Sequence, residues 1–135
     1  MIKFQELHKG AYVIADFEGD LKRGEITNVK RDEKKVMVDN GAQEFWYDET
    51  QLHPLPINDE ELDTLKFTHE QQEDGTVKYK KGAFRMLIPA PGDFSKMELW
   101  YRDERRHIVQ PLHLHQLQHH FHDMTKVHLN TDSFE

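Results

Sequence analysis

The sequence predicts an α+β fold that is mainly β, in which a small N-terminal barrel is followed by a few antiparallel strands packed on a C-terminal helix. Short β-branched or aromatic runs separated by turn residues fill the first half. The second half carries further strand-like runs, and its end has apolar residues at helical spacing. We expect two parts, residues 1–57 and 58–135, in one cooperative unit, because 135 residues is the size of one ordinary domain.

The predicted barrel consists of short strands joined by tight turns. Strict alternation places Ile26 and Asn28 on the same face of the second run. Five short strands curled into a barrel would bury such alternating positions. The barrel ends at the segment LHPLPI, residues 52–57, whose two prolines favour an extended exit. The strand-like runs are residues 11–17, 24–30, 34–40 and 43–48.

This order of runs resembles an SH3-like barrel of the Tudor type. The stretches that carry the resemblance are AYVIADFEGD, GEITNV and VMVDNGAQEFWYDETQLHPLP, all within the first 57 residues. Tudor modules that bind methylated Lys or Arg hold the cation in an aromatic cage. Here Leu21 and Asn40 stand where cage aromatics are expected. The resemblance therefore implies the fold without the methyl-ligand function, and we expect the nearby rings to pack the barrel core.

The same rings supply the candidate binding residues. Phe17, Trp46 and Tyr47 are the aromatic side chains that would form a binding face where they are exposed rather than packed in the core, with Phe45 beside them. No catalytic constellation accompanies them: the chain lacks a phosphate-binding glycine loop and a Gly-x-Ser-x-Gly elbow. The leading hypothesis is a non-enzymatic interaction module that binds another protein, or itself, through the barrel face or a sheet edge.

The second half is predicted to begin with a short helix. Asn58 can cap it, and Leu62 and Leu65 follow at helical spacing. Antiparallel strands come next, with alternating apolar positions on one face of each strand. These strand-like runs are residues 76–90, 96–103 and 105–110, and a final edge strand is expected at residues 126–130.

A longer helix is predicted between these last strands. Pro111 fits its first turn, where the missing N–H costs nothing, and the helix runs to about Met124. At about 100° per residue, one side of this helix is apolar and the opposite side carries imidazoles, which should face water. The apolar stripe is Leu114, Leu117, Phe121 and Met124, and the imidazole face is His115, His119 and His122.

These three histidines also define an alternative function. His115 and His119 have the i, i+4 spacing that can bind a metal, and His122 adds a third imidazole. Three ligands on consecutive turns of one helix extend over about 10 Å, so they do not easily converge on one ion. The HExxH signature fails because Gln116 occupies the position of its glutamate. We expect no cofactor and only adventitious Zn or Ni; a metal-dependent enzyme or metal-binding protein is the alternative.

Composition limits the partners and the location. Eighteen Lys and Arg against 25 Asp and Glu give a formal net charge of -7, which disfavours nucleic acid. Weak nucleic-acid binding through the basic run KYKKGAFR, residues 78–85, is the third hypothesis. There is no cysteine, no signal-peptide pattern and no apolar stretch long enough to span a membrane. We therefore expect a cytoplasmic protein without a membrane partner.

The C-terminal helix carries a second resemblance. The stretch IVQPLHLHQLQHHFHDMTKVHL, residues 108–129, resembles the C-terminal helix of a group of small, mostly uncharacterised bacterial proteins of phage and mobile-element type. Those proteins tend to join an SH3-like barrel to a small β-rich part through a Pro-Leu-Pro or Pro-Ile-Pro segment, which HPLPINDEELDTLKF supplies here. The resemblance implies no established activity. It does imply that His115 belongs to a structural motif that caps the helix or bonds a neighbouring loop.

Overall fold

The computed structural model describes residues 2–132 and is mainly β, with two five-stranded antiparallel sheets and a helix near the C-terminal end. The chain divides into two compact units. The first contains the residues up to Pro56 together with His113–Gln116, and the second contains Ile57–Leu112 and the residues from Leu117 onward. The first turn of the C-terminal helix thus belongs to the first unit.

The sheet of the first unit follows a 3-10 helix at Phe4–Glu6 and has the strand order β4-β3-β2-β1-β5. Within residues 2–132, β4 pairs only with β3 and β5 only with β1, so backbone hydrogen bonds do not close this sheet into a barrel. A second 3-10 helix, Glu49–Gln51, leads directly into the last strand. The strands are β1 Tyr12–Phe17, β2 Asp20–Lys30, β3 Lys35–Asp39, β4 Glu44–Asp48 and β5 Leu52–Pro54.

A two-residue hairpin joins β1 to β2. Its central residues, Glu18 and Gly19, both have positive φ (52° and 87°), as a type I′ turn requires. The carboxylate of Asp16 accepts a hydrogen bond of 2.8 Å from the Gly19 N–H. This turn fixes the register in which Phe17 pairs with Asp20 at the end of the hairpin.

A bulge in β2 changes which side chains reach the core. Ile26 pairs with Val38 while Asn28 pairs with Met37, so one extra residue lies between them. Ile26 is fully buried, but Asn28 is exposed. The expectation that these two residues share a face is therefore wrong, because the bulge interrupts the alternation. The core of this unit is Ile2, Leu7, Ala11, Val13, Ala15, Ile26, Val36, Val38, Tyr47 and Leu52, with Phe4, Val29 and Phe45 packed against it.

The second unit begins with the short helix α1, Asp59–Thr64. As predicted, Asn58 caps it: its side-chain oxygen accepts a hydrogen bond of 2.9 Å from the Glu61 N–H. The sheet that follows is a meander in which each strand pairs with the next along the chain. Its strands are β6 Thr68–Gln71, β7 Val77–Lys81, β8 Phe84–Ile88, β9 Met97–Tyr101 and β10 Glu104–Ile108.

The run 76–90 contains two of the expected antiparallel strands, joined by a tight turn between Lys81 and Phe84 in which Gly82 adopts a φ of 59°. One detail of this sheet differs from the expectation. The strand β6 was not expected, because its four residues are all exposed and carry no apolar alternation. The predicted burial of alternate residues in β8 is confirmed: Phe84, Met86 and Ile88 are at most 1% exposed.

The helix α2, Leu114–Thr125, begins three residues later than predicted. Pro111 lies before it, and the side chain of Gln116 accepts a hydrogen bond of 2.8 Å from the His113 N–H at its start. The apolar stripe is confirmed, since Leu114, Leu117, Phe121 and Met124 are all buried. Within residues 2–132 neither α-helix is long and apolar enough to cross a membrane.

The expected edge strand at residues 126–130 is wrong. Lys126 takes a positive φ of 64°, which ends the helix in a left-handed turn. The hydroxyl of Thr125 accepts a hydrogen bond of 3.1 Å from the Val127 N–H. These local bonds replace the pairing that a strand would need, and Leu129 is buried although it lies outside any strand.

Candidate binding site

A cavity of about 210 Å³ opens on the first unit, and we call it the aromatic pocket. It lies where the end of β1, the start of β2 and the β3–β4 loop meet β4. Side chains that alternate along β1 and β4 supply its apolar wall, and the hairpin and the loop supply its polar rim. Its lining residues are Ala15, Phe17, Asp20, Lys22, Asn40, Ala42, Gln43, Phe45 and Tyr47.

Three rings form the wall of the aromatic pocket. Phe17 stacks on Phe45 with ring centroids 5.3 Å apart and planes within 9°. Phe45 in turn meets Tyr47 edge-on at 6.5 Å. Phe17 stays 46% exposed, whereas Tyr47 is buried. Burial, with a smaller effect of Asp20, raises the pKa of the Tyr47 phenol, so the ring is neutral at physiological pH.

The rim of the aromatic pocket is polar and locally ordered. Lys22 and Asp20 form an exposed ion pair at 3.6 Å. The side-chain oxygen of Asn40 accepts hydrogen bonds from the N–H groups of Ala42 (3.0 Å) and Gln43 (2.9 Å), which holds the β3–β4 loop. An apolar wall with a polar, fixed rim is an arrangement that suits a partner's side chain.

The structure brings together two of the three predicted binding residues. Phe17 and Tyr47 both line the aromatic pocket. Trp46 does not, because neighbouring residues of a strand point to opposite faces. Its ring is covered by Lys30, whose Nζ lies 4.5 Å from the ring centroid. The prediction did not include Phe45 among the binding residues. Phe45 lies two positions before Tyr47 in β4, and therefore on the same face of the strand, and it lines the pocket.

His115, the first predicted metal ligand, does not face water. It is 4% exposed, so the prediction that it lies on a solvated helix face is wrong. Its Nε2 lies 2.9 Å from Oε1 of Glu6, which ends the first 3-10 helix and also accepts a hydrogen bond of 3.3 Å from Gln116. Burial lowers the pKa of His115 against the opposing effect of Glu6, and the neutral imidazole donates to the carboxylate.

The other two predicted ligands lie in different surroundings. His119 is exposed, and its ring lies 6.3 Å from that of His120. His122 is partly buried and stacks on His128 with ring centroids 4.2 Å apart and planes within 7°. Among residues 2–132, no three His, Asp or Glu side chains come together in a way that could hold a metal ion.

The basic run predicted to contact nucleic acid is largely engaged within the protein. Lys80 forms an ion pair with Glu70 at 3.3 Å. Lys81 is buried, and Arg85 donates to the backbone carbonyls of its own hairpin. Three of the four cations of this run therefore have partners on the second unit, and the run is not a row of exposed positive charges.

A comparison of the chain with protein-family models, with curated proteins and with solved structures gave no match in any of the three.

Proposed function

We propose that the protein is a non-enzymatic interaction module without a resident cofactor, and that it binds another protein, or a second copy of itself, through the aromatic pocket. The observation that carries the proposal is Phe17, which remains 46% exposed while it stacks on Phe45 at the mouth of a cavity. Phenylalanine is among the aromatic residues that are enriched in protein interfaces, where a few side chains that fill pockets carry most of the binding energy. An aromatic ring left this exposed is available for such a contact without any further rearrangement.

The occupant that fits is a single side chain of the partner. About 210 Å³ is below the 300–1,000 Å³ of pockets that enclose a whole small-molecule ligand. The ring of Phe17 offers an apolar face to such a side chain, and Asp20 and Lys22 offer polar groups to the backbone around it. The pocket therefore serves as an anchor point within a wider contact.

The fold of the first unit forms part of this proposal. An SH3-like barrel is supported by the strand order β4-β3-β2-β1-β5, by the long bulged strand β2 and by the 3-10 helix directly before β5. Membership of the group of small bacterial phage and mobile-element proteins is supported by residues 108–129, and a cytoplasmic location by the absence of cysteine.

Capture experiments with a matched pair of variants test the proposal. The wild type, Phe17→Ala and Leu21→Ala would be compared in size-exclusion chromatography with light scattering and in capture from a bacterial lysate. Leu21 is a suitable control, because it is 59% exposed and precedes the pocket residue Lys22, so it points to the other face of β2.

We expect the Phe17 variant to lose self-association or capture while the Leu21 variant keeps it. A strictly monomeric wild type that captures nothing would contradict the proposal. So would a captured protein that the Phe17 variant retains as well as the wild type does.

A further inference from the structure

A second and larger cavity lies on the first unit, away from the residues that line the aromatic pocket. Its volume is about 540 Å³, and we call it the basic cavity. It is bounded by the N-terminal segment, by the β2–β3 turn and by the 3-10 helix before β5. Lys3, Arg31 and Lys34 line it together with one carboxylate, Glu49, so its lining has a net charge of +2. A positively charged lining stands out in a chain whose net charge is -7.

Arg31 is held in the wall of the basic cavity by groups that do not neutralise it. Its guanidinium lies 3.4 Å from the backbone oxygen of Leu7 and 3.3 Å from Nδ1 of His8. The ring of Phe4 lies beneath it, 5.9 Å from the guanidinium carbon. Since a guanidinium has five N–H donors, these contacts fix its position and leave donors for a ligand.

Within residues 2–132, neither lysine of the basic cavity is held in a close ion pair. In the part of the chain that the structure describes, neither Lys3 nor Lys34 forms an ion pair within 4.0 Å, and Arg31 forms none either. Lys34 closes the β2–β3 turn with a positive φ of 52°, and its N–H faces the carbonyl of Arg31 at 3.4 Å. The turn therefore carries two of the three cations at fixed positions relative to each other.

We propose that the basic cavity binds a phosphate monoester, with Arg31 and the two lysines around the phosphate and Phe4 against the esterified group. A phosphate monoester carries a charge of about -2 at pH 7, which matches the charge of the lining. Arginine with flanking lysines is the donor set that recognises phosphate in proteins. A volume of about 540 Å³ also falls within the range of pockets that enclose a small ligand.

The surroundings favour a compact anion over a polyanion. Glu49 lines the cavity, and Asp32 and Glu33 lie in the same turn as Arg31 and Lys34. A nucleic-acid backbone would extend past the three cations onto these carboxylates and onto an acidic protein. The phosphate can belong to a small-molecule ester or to a phosphorylated side chain of a protein, since both present the same group.

Backbone amide NMR titrations of the full chain test the proposal and separate the two sources. The probes are phenyl phosphate, inorganic phosphate, a short phosphoserine peptide and a single-stranded DNA oligonucleotide. We expect saturable shifts of amides in residues 2–5 and 31–34 with phenyl phosphate and smaller ones with inorganic phosphate. Tighter binding of the peptide would assign the phosphate to a protein, and tighter binding of phenyl phosphate to a small molecule.

A pair of double variants provides the control. Lys3→Gln with Lys34→Gln removes two lining charges and should weaken phenyl phosphate binding at least about tenfold. Lys9→Gln with Lys35→Gln removes two exposed charges that do not line the cavity, and binding should stay within about twofold.

Three results would overturn the proposal. One is the absence of saturable shifts up to about 10 mM phenyl phosphate, ten times a Kd of about 1 mM. The second is an equal loss of binding in the two double variants. The third is DNA binding that is tighter than that of every monoester. Because the aromatic pocket and the basic cavity have no lining residue in common, failure here leaves the proposed interaction module untouched, and the reverse also holds.

Discussion

Nε2 of His115 lies 2.9 Å from a carboxylate oxygen of Glu6, although 109 positions separate the two residues in the chain. Only 2% of the His115 side chain is exposed. Because Nε2 carries the hydrogen that is donated to the carboxylate, Nδ1 keeps its lone pair, and this atom has no partner among residues 2–132. The first unit is thus stabilised by a buried imidazole in its neutral form.

This pair predicts that the protein loses stability as the pH falls. Burial lowers the pKa of His115 below 6.5, so the unfolded chain takes up a proton before the folded chain does. Burial acts to raise the pKa of Glu6, but its hydrogen bonds with His115 and Gln116 outweigh this and lower it below 4.5. Both shifts have the same sign. The contribution of this pair to the free energy of unfolding is fully present above about pH 6.5. As the pH falls it is lost first through protonation of His115 and then, below about pH 4.5, through protonation of Glu6.

Urea denaturation at several pH values from about 7.5 down to about 5, on both sides of the ordinary imidazole pKa, measures the effect. His115→Gln keeps an N–H donor for Glu6 and removes the titrating ring, so its stability should vary less with pH. His107→Gln is the control, because it changes a side chain that is 73% exposed. The stability of this variant should depend on pH as that of the wild type does. A wild-type stability that rises on acidification in this range would contradict the prediction.

Replacing Lys81 should destabilise the second unit. Its buried ammonium donates to the backbone carbonyls of Leu65, at the end of α1, and of Asn130, at 2.8 Å. Lys81→Met leaves both carbonyls without this donor, and we expect a loss of about 1–3 kcal/mol in the free energy of unfolding. Lys78→Met, in the same strand, is the control. Urea titration followed by circular dichroism gives the comparison, and equal stabilities of the two variants would show that these two bonds are unimportant.

Phe121 anchors α2 within the second unit. Its ring is fully buried and lies 4.8 Å from the ring of Phe84. Phe121→Ala should cost about 3–5 kcal/mol, because truncating a buried aromatic removes its transfer free energy and leaves a cavity. Val109→Ala, at a residue that is 85% exposed, should change stability by less than about 0.5 kcal/mol. Thermal and urea unfolding of both variants would check this, and a small loss at Phe121 would show that the helix is loosely packed.

Gly24 has no room for a side chain. A Cβ built there would lie 2.5 Å from Cγ1 of Val38 and 2.8 Å from the backbone oxygen of Asp39. Gly24→Ala should therefore cost about 1–3 kcal/mol, since backbone atoms of β3 cannot move aside freely. Gly19→Asn tests the opposite case: no atom lies within 4 Å, and asparagine tolerates positive φ, so the loss should be smaller. A lower unfolding midpoint for Gly24→Ala than for Gly19→Asn is the expected result, and the reverse order would contradict the prediction.

Local patterns in the sequence predicted most of the fold, because they depend on neighbours in the chain. The apolar stripe of α2 and the alternation in β8 follow from helical and extended periodicity alone. The Asn58 cap is equally local, since its bond reaches only to Glu61.

Features that depend on distant partners were not predictable in this way. The burial of His115 requires Glu6, and the polar side chain of Gln118 is buried because its amide donates to the Leu129 carbonyl at 3.0 Å. Helical periodicity assigned the imidazole to water because it contains no information about the N-terminal segment. The lining of the candidate pocket was predictable in part: alternation separates Trp46 from Tyr47, whereas the cavity depends on the hairpin and the loop that meet there.

Because of the bulge in β2, one residue of this strand can be deleted while the side chains that follow it keep the faces of the sheet on which they lie. With Thr27 removed, Ile26 and Asn28 would become consecutive partners of Val38 and Met37 in a regular ladder. Val29 would keep its inward position. A shortened chain of this kind should still fold, giving up only the bonds of the threonine hydroxyl to Met37 and Glu44. A one-residue difference in length at this position would therefore leave the packing of the core unchanged.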